Sequence, residues 1–151
     1  DWQSVYLYPS LCLFEGTVVS VGRGTDRPFS VYGHPAFHLG SFIFTPESRP
    51  GAQHPKLEGK TCYGQNLRGY AENHHEVDDH FNLTWLIGAY EVLDMDSAFF
   101  TPYFEKLAGT SSLRKQIMQG MDEAEIRAGW QPALDKFKMI RKKYLLYKDF
   151  D

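Results

Sequence analysis

Glu15, Thr17, Arg23, Thr25, Asp26 and Arg27 fall within one short stretch, broken by Gly16, Gly22 and Gly24 and following the apolar run Leu11–Phe14. A carboxylate next to apolar residues can have its pKa raised and act as a general acid. Arg23 or Arg27 can instead pair with Glu15, which suits ligand binding or a structural ion pair. Glycosidic hydrolysis usually needs two carboxyl groups. Asp26 is the other acid in the stretch, and spacing alone does not place it relative to Glu15. Catalysis, polar ligand binding and structural pairing all stay open at this level.

Other constellations fall short of their motifs. "ENHHEVDDH", residues 72–80, is rich in ligand-type side chains, but Asp79 stands where the zinc motif HExxH needs its second histidine, and His80 comes one place late. It also lacks the spaced oxygen ligands and glycine turn of a calcium loop. This segment, with His74, His75 and His80, reads as a polar loop ending in a helix cap, and no metal is expected. "GRGTDR", residues 22–27, has Arg27 where a dinucleotide fingerprint needs glycine, and it lacks the Gly-Lys-Ser/Thr of a phosphate loop. No GxSxG elbow is present. No cofactor is therefore expected. Cys12 and Cys62 form no CxxC; they can pair or stay free.

Composition narrows the class further. The 151 residues suggest one domain, with 42% hydrophobic and 23% charged residues. Aromatics reach 15%, which suits either a ring-rich core or a surface that stacks on sugars. A net charge of −3 argues against nucleic acid as a partner. Lys136, Lys138, Arg141, Lys142, Lys143 and Lys148 form a local exception. They read as the solvated face of a terminal helix, with a polyanion or membrane surface as the other reading. No run approaches the ~20 apolar residues of a spanning helix. The opening Asp1-Trp2, without an initiator Met, reads as a cut inside a longer protein.

The elements that must position these residues follow from pattern. Most glycines and prolines precede residue 70, which favours short strands joined by turns. Strands are expected at Phe29–Tyr32, Ser41–Phe44 and Lys60–Tyr63, with residues 45–59 as a long exposed loop. Ser10–Phe14 fits a short helix or a strand. From about residue 80 the apolar period becomes helical. A helix is expected over 80–94, capped by Asp78 or Asp79, then a short one around Pro102–Leu107. Another runs from Ser111 or Ser112 and stops at Gly120. The last opens on a capping box at Asp122–Glu125, with Ile126, Trp130, Ala133, Leu134, Phe137 and Ile140 on one face. Pro132 predicts a kink or break near Trp130, and Tyr144–Tyr147 is expected to run extended. The fold class is α+β: short strands and loops in the N-terminal half, with three to four helices packed on them from about residue 80.

"YPSLCLFEGTVVSVGRGTDRPF" and "GHPAF" resemble the C-terminal domain of the exo-β-N-acetylmuramidase (NamZ-type) family of peptidoglycan recycling, formerly a bacterial domain of unknown function. The matching positions are Glu15-Gly16-Thr17, Ser20, Gly22-Arg23-Gly24-Thr25 and Pro28-Phe29. Looser matches follow at Gly109-Thr110, Leu113-Arg114, Ile117, Gly120, Trp130, Phe137, Arg141 and Tyr144–Tyr147. Val18 stands where the family has Asn, and Phe37 where it has Trp.

The resemblance implies a layout. An N-terminal Rossmann-like domain would precede this one and carry the catalytic acids. Residues 1–151 would form one wall of an interdomain cleft, inactive on its own. Glu15, Thr17, Arg23, Thr25 and Asp26 would then be substrate-binding rather than catalytic, lining the sugar or lactyl-carboxylate side. The implied partners are muramic acid-containing cell-wall fragments and the protein's own N-terminal domain. The implied location is periplasmic or otherwise exported. A different reading is a non-catalytic module that binds glycan or protein, which the 45–59 loop and the aromatics allow.

Overall fold

A computed structural model describes residues 1–38, 40–75 and 81–148. Helix α1, Trp2–Leu11, opens on Asp1, whose side chain accepts from the Ser4 N–H at 3.0 Å. It passes into a 3₁₀ turn, Cys12–Gly16. The stretch left between helix and strand is thus helical, and it drives Leu7, Leu11, Leu13 and Phe14 into the core.

Three strands follow: β1 (Val31–His34), β2 (Phe42–Phe44) and β3 (Cys62–Asn66). Each lies one or two residues beyond its expected start. They form an antiparallel sheet in the order β1-β3-β2, so β3 is central. Its Gly64 faces Gly33 on one side and Phe42 on the other. A Cβ at Gly64 would meet the Tyr32 carbonyl oxygen at 1.8 Å, so only glycine fits there. One small apolar cluster, Val31, Phe44 and Cys62, packs with Leu57, while Tyr32 joins the main core.

The helices from residue 84 onward follow the pattern: α3 (Thr84–Leu93), α4 (Phe104–Ala108), α5 (Ser112–Met118) and α6 (Glu123–Arg141). Between β3 and α3, the helix α2 (Arg68–His74) was not expected, and neither was most of α1. The expected caps at Asp78 and Asp79 lie outside the described residues, as does His80. Glu123 of α6 reaches across to the start of α3. Its Oε2 accepts from the N–H groups of Leu83 and Thr84, both at 3.1 Å. A carboxylate is favoured there, where helix N–H groups lack internal partners. Arg127 holds Glu123 in place through a 2.7 Å bond. At α5, Ser111 makes no side-chain cap bond; the Thr110 hydroxyl accepts from the Ser112 N–H at 3.1 Å instead.

The capping box at the start of α6 is complete, with bonds of 2.8 and 3.0 Å. Pro132 does not break this helix, which runs unbroken for 19 residues. Proline removes one backbone donor. The carbonyl it leaves, on Ala128, lies in an exposed turn where water can take the bond. The expected apolar face is only partly used. Ile126 is fully buried and Trp130 packs on the core, but Leu134, Phe137 and Ile140 are exposed. Tyr144–Tyr147 forms turns rather than an extended run. Among the described residues, no helix is long and apolar enough to cross a membrane.

Candidate functional site

The 15–29 segment leaves the 3₁₀ turn extended. Thr17 bridges to Phe100 and Ser20 to Gly33, which stitches the segment between the helices and β1. Gly16 packs directly on α4, where a Cβ would meet the Phe104 Cα at 2.4 Å. After Val21 the chain turns sharply, with Gly22 at φ 74° and Gly24 at φ 83°. Thr25 closes this turn: its hydroxyl donates to the Gly22 carbonyl at 2.7 Å and accepts from the Arg27 N–H at 3.0 Å. Such short side-chain bonds to nearby backbone are what threonine contributes to turns.

The 45–59 loop is irregular, as expected, but it is not free. It folds back over the glycine turn as the site's second wall. The Glu47 N–H donates to the Gly24 carbonyl at 3.0 Å, and Pro55 packs on Gly24. Lys56 is the main tie. Its Nζ donates to the carbonyls of Phe14 (3.0 Å), Glu15 (3.3 Å) and Val19 (3.1 Å), and also to that of Thr17. Burial lowers the Lys56 ammonium to about 8, against the pull of the Glu15 carboxylate, which raises it. Sequence pattern missed Lys56 because its partners are backbone oxygens, which no motif records. The only signal was one lysine after a proline in a segment punctuated by Pro46, Gly51, Pro55 and Gly59.

Four of the five residues expected to bind substrate come together at this junction. The Arg23 side chain is 45% exposed and that of Glu15 29%, with Nη1 and Oε1 3.6 Å apart. Arg23 also donates to the Gly51 carbonyl at 3.4 Å and lies 5.9 Å from the Phe29 ring centre. Asp26 pairs with Arg49 from the opposite loop. Arg23 and Thr25 line a groove of about 320 Å³, walled by Pro28, Phe29, Arg49 and Pro50. Arg23 and Glu15 also line a neighbouring depression of about 170 Å³ with His54 and Lys56. Arg23 therefore faces both hollows.

Thr17 differs from the other four. It is fully buried, its hydroxyl donating to the Phe14 carbonyl at 2.9 Å and accepting from the Val19 N–H at 3.1 Å. Its visible work is to shape the segment that carries Glu15. Val18, at the departure from the family pattern, is half-buried; its N–H donates to the Phe99 carbonyl at 3.0 Å. Phe37, the other departure, is buried beside Tyr32 and lines a separate apolar hollow with Trp85.

Each carboxylate of the turn has a guanidinium partner. That arrangement serves charge recognition better than protonation of a leaving group. Elsewhere, His74 and His75 bond through Nδ1 to the carbonyls of Tyr70 and Ala71, one helical turn back. His74 stacks on Tyr70 with ring centres 4.2 Å apart. Among the described residues, no three His, Cys, Asp or Glu side chains gather as a metal site. Cys12 and Cys62 are both free thiols.

Comparison with known proteins adds a family. Residues 6–147 match the family model described as exo-beta-N-acetylmuramidase NamZ, C-terminal. The chain is similar to peptidoglycan beta-N-acetylmuramidase NamZ of Bacillus subtilis (strain 168), at 30% identity over 158 residues. That match covers 96% of this chain but only 38% of the relative. Among solved structures, it resembles a DUF1343 family protein from Bacteroides fragilis NCTC 9343, at 47% identity and a TM-score of 0.91. There it covers 99% of this chain and 42% of the other. The chain thus spans about two fifths of the length of each.

Proposed function

The chain belongs to the exo-beta-N-acetylmuramidase NamZ C-terminal family, and from that premise we propose that it is one wall of an interdomain substrate cleft in a longer peptidoglycan-recycling glycoside hydrolase. The other wall, with the reacting acids, belongs to an N-terminal domain. The substrates are cell-wall fragments ending in N-acetylmuramic acid, and the protein works in the periplasm or otherwise outside the cytoplasm. Arg23 meets the lactyl carboxylate of that sugar, with Glu15, Thr25 and Asp26 around it and Thr17 shaping the turn from within.

The observation that supports this best is the setting of Arg23. A guanidinium offers five donors in a planar fork suited to a carboxylate. Here it sits half-exposed between two hollows, its polar contacts among the described residues long at 3.4 and 3.6 Å and the Phe29 ring beside it. An incoming carboxylate can therefore be taken up without dismantling a tight pair.

The test is Arg23→Ala in the complete protein, assayed on a chromogenic N-acetylmuramic acid glycoside. Loss of a charge-assisted bond worth ~1.5–3 kcal/mol should lower kcat/KM by roughly 10- to 150-fold, mainly through KM. Unchanged kcat and KM would remove Arg23 from the site. Tight binding of muramyl sugars by residues 1–151 alone would instead make this a self-contained glycan-binding module.

A further inference from the structure

Along the second half of α6, among the described residues, a seam of large apolar side chains stands exposed. Trp130, Leu134, Phe137 and Ile140 follow steps of four, three and three, continuing the face that begins with the fully buried Ile126. Trp130 still packs on the core, yet Leu134, Phe137 and Ile140 are 45%, 57% and 47% exposed. The turns beyond are barer, with Leu146 at 91%. Isolated exposed apolar residues are ordinary, but a contiguous seam of large ones marks an interaction face.

Charge sets this region apart as well. Residues 131–151 hold six basic side chains and three acids, while the whole chain is −3. Both similar proteins are more than twice as long as the part matched here, which covers 38% and 42% of them. A partner within the same molecule acts at a high effective concentration, so it covers such a seam ahead of a membrane or a second copy.

We propose that the second half of α6 and the turns after it form the docking surface for the rest of the longer protein, which meets the seam with an apolar groove rimmed by acids. This rests on reading the chain as one part of a two-part protein. Its test reads coverage rather than hydrolysis, so its failure and that of the Arg23 assignment are separate results.

In the complete protein carrying Cys12→Ser, single Phe137→Cys and Asp135→Cys variants are labelled with a maleimide. Phe137 is on the seam and Asp135 on the opposite face, while native Cys62 is buried. Phe137→Cys should react at least ~10-fold more slowly than Asp135→Cys, as expected for a covered position. Leu134→Cys carries the same comparison if Phe137→Cys fails to fold. Equal rates at seam and opposite face would overturn the proposal. So would protection that appears only with phosphatidylglycerol vesicles, or only in a concentration-dependent dimer seen by sedimentation. The first result would assign the seam to a membrane surface and the second to self-association.

Discussion

Lys56→Met is expected to lower the thermal midpoint by roughly 6–12 °C, from a loss of about 3 kcal/mol in a domain of this size. Methionine keeps the apolar stem but has no donor. The carbonyls of Phe14, Glu15, Thr17 and Val19 would lose their shared partner while remaining at the base of the loop. The Phe14 carbonyl keeps the Thr17 hydroxyl and N–H as donors, but those of Glu15, Thr17 and Val19 lose the ammonium, and an unsatisfied buried acceptor costs more than the net worth of the bond it made. The 45–59 loop should loosen with them, and under the proposed function turnover of a muramyl substrate by the complete protein should fall as well. A midpoint within ~2 °C of the parent would mean that water replaces the ammonium and that the clamp is not structural.

The same residue gives a pH signature. Its ammonium is lowered to about 8 in the folded chain from the ordinary 10.5. Between those values the folded chain has released the proton and the unfolded chain still holds it. Raising the pH there therefore favours folding. A neutral amine retains two N–H donors for the carbonyls, so the tie survives. The urea midpoint of the parent relative to Lys56→Met should rise between about pH 8 and pH 10. A flat or falling difference would show that the four carbonyls hold the ammonium near its ordinary value.

Gly24→Ala should be nearly as damaging, and more local. Gly24 has φ 83°, where an L side chain is strained. An added Cβ would also meet the Glu47 carbonyl oxygen at 2.5 Å and the Pro55 ring at 2.7 Å. Both obstacles belong to the opposite wall of the groove. Relief requires the two loops to part, breaking the Glu47-to-Gly24 bond and displacing Arg49 from Asp26. Strain and lost contacts together should cost about 2–4 kcal/mol. Amide exchange should quicken over residues 45–59 while the β1-β3-β2 sheet stays protected. Exchange unchanged in that loop would show that the walls are held by other means.

Legibility in the sequence followed the range of the interactions. The start of α6 was readable because Asp122 and Glu125 cap it within one turn. The stop of α5 was readable because Gly120 adopts φ 75°. Helix α1 was not, since Pro9 lies inside it and the apolar run after it fits either period. Glu123 capping α3 crosses some 40 residues, and no local pattern announces it. Residue type and family likeness picked out Glu15, Arg23, Thr25 and Asp26, and the fold brings these four to one junction. Their opposite wall was missed because Lys56 and Gly51 act through main-chain oxygens. Thr17 came from the same resemblance, and burial sets it apart from the other four, its hydroxyl donating and accepting within its own segment.

The position of β3 sets the order in which this chain can become a protein. β1 and β2 each pair with β3 and not with one another, although β3 emerges last of the three. The segment bearing Glu15 must wait longer still, for Phe100 and Phe104, which close on Thr17 and Gly16. The native pairing of the first third of the chain is therefore completed only by β3 and by Phe100 and Phe104. Such sequence-distant pairing is slow to form, so the segment bearing Glu15 takes its shape from contacts that close late.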